Sequence, residues 1–99
     1  LIYESIYQLY ENEKYAEATS KCEENIISFS GEPVVSKLEF LKSLAIARVY
    51  GFKEYEKALQ FIKLNYSVTL EGKEAERILN EVLPQIKDDE FKENKLSEN

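Results

Sequence analysis

The chain has 99 residues, 43% hydrophobic and 32% charged, with a formal net charge of −6. That length allows one small domain or a piece of a larger protein, and the acidic balance gives long-range attraction the wrong sign for nucleic acid or anionic lipid. Three Gly and two Pro are too few for a turn-rich all-β fold, one cysteine excludes an intramolecular disulfide, and no apolar run nears the ~20 residues of a membrane span.

Helical periodicity starts at once, without an initiator Met, so the chain reads as a fragment. Residues 1 to 11 carry two stripes, Ile2-Ile6-Leu9 and Tyr3-Tyr7-Tyr10, which together form a wide contact face. A polar turn, Glu11 to Lys14, leads to a second helix to about Phe29, with Tyr15, Ala18, Cys22, Ile26 and Phe29 on its buried side. So short a link predicts an antiparallel hairpin. Ser30-Gly31-Glu32-Pro33 is the clearest break, with Gly suited to a helix end and Pro to the next first turn.

A third helix is predicted over about 33–50, with Val34, Leu38, Leu41, Leu44, Ala45, Ile46 and Val49 as its apolar positions, closed by Gly51. The fourth, about 53–66, turns Tyr55, Ala58, Leu59, Ile62 and Tyr66 inward and completes a second hairpin. A fifth, about 70–86, carries Ala75, Ile78, Leu79, Val82 and Leu83. Pro84 should kink or end it, because its ring meets the carbonyl four residues back. From Asp88 onward seven of twelve residues are charged, and this tail is expected to stay disordered unless it docks. The expected division is thus a helical domain over 1–87, with hairpins at 1–29 and 33–66 and an extra helix at 70–86, then the tail 88–99.

Sliding the chain by forty residues aligns Leu1 with Leu41, Ile6 with Ile46, Tyr10 with Tyr50, Tyr15 with Tyr55, Ala18 with Ala58 and Asn25 with Asn65. The matches fall at equivalent places in the two hairpins, the signal of a helical solenoid. With Lys14-Tyr15-Ala16-Glu17-Ala18 and Glu54-Tyr55-Glu56-Lys57-Ala58-Leu59 opening second helices, residues 1 to 83 resemble the tetratricopeptide repeat family. The chain departs from that pattern where Ile6 and Ile46 stand at a usually small position and where the link around Gly31 lengthens the period. The Gly usual in the intra-hairpin turn is also missing from both copies.

A narrower resemblance runs through Leu41 to Tyr50, Ala58-Leu59, Asn65-Tyr66, Glu71 to Leu79 and Val82 to Gln85. These stretches are similar to repeats in the large lipoproteins of Bacteroidetes gliding motility and type IX secretion. That resemblance implies a periplasmic, outer-membrane-associated scaffold.

The family resemblance implies an all-α solenoid of about five helices whose first helices line an inner surface for a protein or peptide partner. Carried over residue by residue, it puts Tyr3, Tyr7 and Tyr10 of the first helix and Ser43, Ala47 and Tyr50 of the third on that surface. Each tyrosine could instead pack against a neighbouring repeat. Asn25 and Asn65 read as helix-end caps, and Cys22 as a small core residue.

Catalytic chemistry has little to work with. The chain has no His, the usual general base and commonest metal ligand. Its two Asp are side by side in the tail, and Gly31, Gly51 and Gly72 are too scattered for a phosphate loop. No catalytic, cofactor or metal site is expected. The leading expectation is an interaction or scaffold module, the alternative an architectural spacer or self-association segment.

Overall fold

The computed structural model describes residues 1–86, which include five α-helices and no strand: α1 (Ile2–Glu11), α2 (Tyr15–Ser28), α3 (Val34–Tyr50), α4 (Phe52–Asn65) and α5 (Leu70–Arg77). A π-helical turn, Ile78–Val82, and a helical stretch at 83–86 follow α5 directly. The tail at 88–99 lies outside the described residues. The fold is all-α, each helix packing on the next in sequence, with further contacts between α1 and α3 and between α3 and α5. This pattern makes two layers, α1–α3–α5 and α2–α4. The shortest dimension of 16 Å fits it, since two backbone cylinders at ordinary packing distance span roughly 15 Å.

Two apolar clusters hold the layers. Ile6, Ala18, Cys22, Leu38, Leu41 and Ala45 form the first, between α1, α2 and α3. Leu59, Ile62, Ala75, Ile78 and Leu83 form the second, with Phe40 of α3 packed against it. α3 therefore serves both clusters. Its apolar residues are spread around the helix, as suits a rod with neighbours on several sides. It also buries Ser36, Glu39 and Ser43, which the apolar pattern could not reveal. Ser43 donates to the Phe40 carbonyl at 2.6 Å, and the Glu39 carboxylate pairs with Lys42 at 3.3 Å. No buried side-chain polar atom lacks a partner among the described residues.

The two hairpins end alike and turn differently. Asn25 donates to the Lys21 carbonyl at 2.8 Å, and Asn65 to the Phe61 carbonyl at 2.9 Å. The same side chain thus bonds back four residues in both helices, forty residues apart, within the last turn of α2 and at the final residue of α4. At the turns, Glu13 sits at φ 63 between α1 and α2, whereas Gly51 alone joins α3 to α4 at φ 87. So the second hairpin does have a glycine in its turn, contrary to the sequence reading. Only glycine adopts that backbone conformation cheaply.

Of the two outcomes expected at Pro84, an end to the helix is not found, whereas a distorted turn does precede it. Helix runs through it to Ile86, because the preceding turn is wide: the Leu83 N–H donates to the Ile78 carbonyl, five residues back. Such a turn inserts one extra residue and loosens the ladder where the proline ring must fit. It also turns both Ile78 and Leu83 into the core, at 8% and 2% exposure.

Gly72 has a role that its place in a charged helix start concealed. The Tyr66 carbonyl accepts from the Thr69 N–H at 3.0 Å and the Thr69 hydroxyl at 2.7 Å. Thr69 in turn caps α5 by accepting from the Gly72 N–H at 3.0 Å. A Cβ at Gly72 would run into that same Tyr66 carbonyl. In an open helix Gly→Ala would stabilise by about 1 kcal/mol. Here the backbone clash should win, and Gly72→Ala is expected to destabilise by about 1–3 kcal/mol in chemical denaturation. A variant as stable as the parent would show that the α4–α5 turn yields easily.

Candidate partner-binding surface

α1 is amphipathic around Ile6, whose 2% exposure anchors it on α2 and α3. With that side fixed, Tyr3, Tyr7 and Tyr10 fall in one row at i, i+4 and i+7. Tyr3 and Tyr7 stack with centroids 6.2 Å apart and planes at 25°, and Tyr7 and Tyr10 follow at 6.1 Å and 38°. Tyr10 meets Tyr15, the first residue of α2, edge-on at 5.4 Å. The Arg48 guanidinium of α3 lies 5.4 Å above the Tyr15 ring, and its Nε donates to the Tyr15 hydroxyl at 3.1 Å. Four rings and a cation thus join α1, the α1–α2 turn and α3. Tyr3 and Tyr10 are half-buried on the first cluster, while Tyr7 is 36% exposed.

The other three candidates do not extend this row. Ser43 is fully buried and bonded within α3, so it presents nothing to a partner. At its place in α3 the chain faces a neighbouring helix, and a small hydroxyl that returns its hydrogen bond to the backbone can be buried there without loss. Ala47 is half-buried. Tyr50 is 68% exposed at the end of α3, and among the described residues no ring contact joins it to the row.

Two contributors were missed. Arg48 belongs to the site through its contact with α2, and Glu71 reaches it from α5. The Glu71 carboxylate accepts from the buried Ser36 hydroxyl at 2.8 Å, tying α5 to α3. Beside it lies a shallow hollow of about 300 Å³ lined by Phe40, Leu70, Glu71 and Glu74. Glu74 is held below the usual carboxylate range by its bond to Arg77, whose guanidinium approaches at 2.7 and 3.0 Å. A charged helix start gives no hint of the Ser36 contact, since the partner lies 35 residues away.

Two phenols of the row are raised above their ordinary value. Burial raises Tyr3 above the ordinary phenol value, with the Glu71 charge adding to it. The Glu11 carboxylate beside Tyr7 raises that phenol too. Burial pushes the Cys22 thiol up to about 12. Among the described residues no group of three or more His, Cys, Asp or Glu is placed to hold a metal ion, and no helix is long and apolar enough to cross a membrane. No protein-family model matches the chain, and no curated protein matches it.

These shifts carry a pH dependence of definite sign. Between the thiol's ordinary 9.0 and about 12, the unfolded chain loses a proton that the folded chain keeps. The raised Tyr3, Tyr55 and Tyr66 phenols act in the same direction from about pH 10. Stability should therefore be flat with respect to these groups below pH 9 and fall as pH rises above it. Denaturation midpoints across that range, with tyrosinate absorbance followed in parallel, test the expectation. A midpoint that holds steady through the alkaline range would contradict it.

Proposed function

We propose that the chain is a non-enzymatic protein–protein interaction or scaffold module of a larger protein, binding a protein or peptide partner on the tyrosine-lined α1–α3 side. The supporting observation is the row Tyr3-Tyr7-Tyr10. The core needs Ile6 from α1, yet three aromatic rings lie beside it, and the middle one keeps over a third of its surface open. Tyrosine gives a flat apolar body and a polar tip at small entropic loss, which favours recognition.

The outer faces of α1 and α5 are mostly polar. The side of α1 turned from the core carries Glu4, Ser5, Gln8 and Glu11, all exposed. Along α5 and the turn after it Lys73, Glu76, Arg77, Asn80 and Glu81 are exposed, beside the apolar Leu70 at 80% and Ile86 at 44%. Polar outer faces are what the terminal helices of a repeat array present to water. The narrower resemblance makes a Bacteroidetes envelope assembly of the gliding or type IX secretion kind the first host in which to seek the partner.

The test is recovery of a partner from that host with tagged parent protein. Substituting Tyr7→Ala together with Tyr50→Ala should reduce recovery by about tenfold or more while the circular dichroism spectrum is kept. Unchanged recovery would remove the inner face from consideration.

One observation favours a second reading, self-association. Phe61, Leu64 and Val68 leave 49%, 78% and 88% of their surfaces exposed on the outer side of α4 and the link after it. The aligned positions of α2 hold Lys21 and Glu24, an ion pair at 3.5 Å, and then Ser28. Sedimentation at rising concentration should find a monomer under the leading reading. A dimer that Phe61→Lys with Leu64→Glu disperses would establish the second.

A further inference from the structure

We infer that two copies of the chain pair through the α2–α4 layer, with α2 of each copy lying on α4 of the other about a two-fold axis parallel to the helices. This rests on the self-association reading and names its surface. The tyrosine row belongs to α1, in the other layer, and stays clear of the contact.

The α2–α4 layer has an acidic half and a basic half. α2 exposes the stripe Glu17-Ser20-Glu24-Ile27, and α4 exposes Lys53-Lys57-Gln60-Leu64. Both stripes advance by the three- and four-residue steps of one helix face. Glu23 adds a further exposed carboxylate to α2. The two helices run parallel, because each is antiparallel to α3. Ile26 and Tyr66, forty residues apart, line the same hollow, so residues forty apart stand at about the same level. Along these levels the charge inverts: Glu13 against Lys53, Lys14 against Glu54 and Glu17 against Lys57.

Symmetry turns this inversion into attraction. Two identical faces that meet about such an axis place α2 on the second copy's α4 with no change of level. Glu17 then faces Lys57 of the second copy, and the contact occurs twice. Within one chain Glu17 has no ion pair among the described residues. Lys57 reaches Glu54 of its own helix at 3.3 Å and keeps 71% of its side chain open. Setting α2 on α2 or α4 on α4 would bring carboxylates to carboxylates or lysines to lysines, in a chain already at net −6.

Apolar surface gathers at one end of the same layer. Ile27, 78% exposed in the last turn of α2, lies at the level of the open Leu64 and Val68, with Phe61 one turn back. These four side chains leave roughly 500 Å² open, the size of the largest apolar patch on many monomers. Two copies bring together roughly 1,000 Å², the lower limit of a specific interface, so the dimer is weak and exchanges.

Sedimentation equilibrium of the whole chain, from micromolar to millimolar, should show a monomer–dimer exchange that added salt weakens. Glu17→Lys alone and Lys57→Glu alone should each weaken it about tenfold, because two attractive contacts become two repulsive ones. An equal mixture of the two variants should associate as the parent chain does, since both contacts again join opposite charges. Tyr7→Ala should leave the dimer unchanged. Circular dichroism of each variant keeps loss of fold separate from loss of contact.

A chain that stays monomeric throughout overturns the inference and the self-association reading together, and leaves the tyrosine-row reading as it was. A dimer that Phe61→Lys with Leu64→Glu disperses, but whose charge variants behave as the parent or whose mixture fails to recover, overturns the α2-on-α4 arrangement alone. A dimer lost in Tyr7→Ala puts the contact in the other layer and overturns the arrangement as well.

Discussion

Everything in this fold leans on α3. The other four helices all contact it, and it lends Leu38, Leu41 and Ala45 to one cluster and Phe40 to the other. A rod buried from several directions cannot be apolar on one stripe alone. Nor can it be apolar all round without packing too loosely or too tightly at some level. α3 resolves this with small residues between its large ones: Ser43 returns its hydrogen bond to its own helix, Ser36 gives its own to Glu71 of α5, and Ala45 admits a neighbour closely. Truncating one of its buried leucines would remove about 2–5 kcal/mol. For a small domain, whose whole margin is about 5–15 kcal/mol, that is a large share.

The tyrosine row inherits its order from the same helix. Ile6 sets the rotation of α1 by entering the cluster that α3 floors, and Arg48 of α3 fixes the far end of the row by holding Tyr15. Glu71 is held close because the Ser36 hydroxyl of α3 donates to its carboxylate at that level. The surface that carries the functional proposal is thus assembled by contacts from α2, α3 and α5, although all three rings of the row belong to α1. A substitution far from the rings, at Ser36 or Ala45, would disturb it through these supports.

Much of this was legible in the chain because amphipathic period and turn chemistry are local. Ile6, Ala18, Cys22, Leu59 and Ile62 lie where a 3.6-residue period puts them, and Asn65 ends its helix, whereas Asn25 lies inside α2, which runs on to Ser28. The losses have one cause: register between helices is not local. Ser43 looked like an inner-face residue because its position in the repeat is one. Whether that position meets solvent or a neighbouring helix depends on how the helices nest. Gly72 and Glu71 looked like an ordinary charged start because Tyr66 and Ser36, which give them meaning, lie on other elements. Pro84 was judged against a regular helix, and the wide turn ahead of it is a cooperative adjustment that no single residue announces.

That wide turn has a consequence for how the chain can change. A helix holding one residue more than its winding requires has already absorbed an insertion, with the surplus taken up as a bulge at Asn80 and Glu81, both of which face solvent. Beyond the bulge, the phase of the helix is independent of the phase before it. The segment carrying Leu83 can therefore be lengthened, shortened or exchanged by rewinding a single loop of backbone, while the seam that joins α5 to α3 and α4 keeps its alignment.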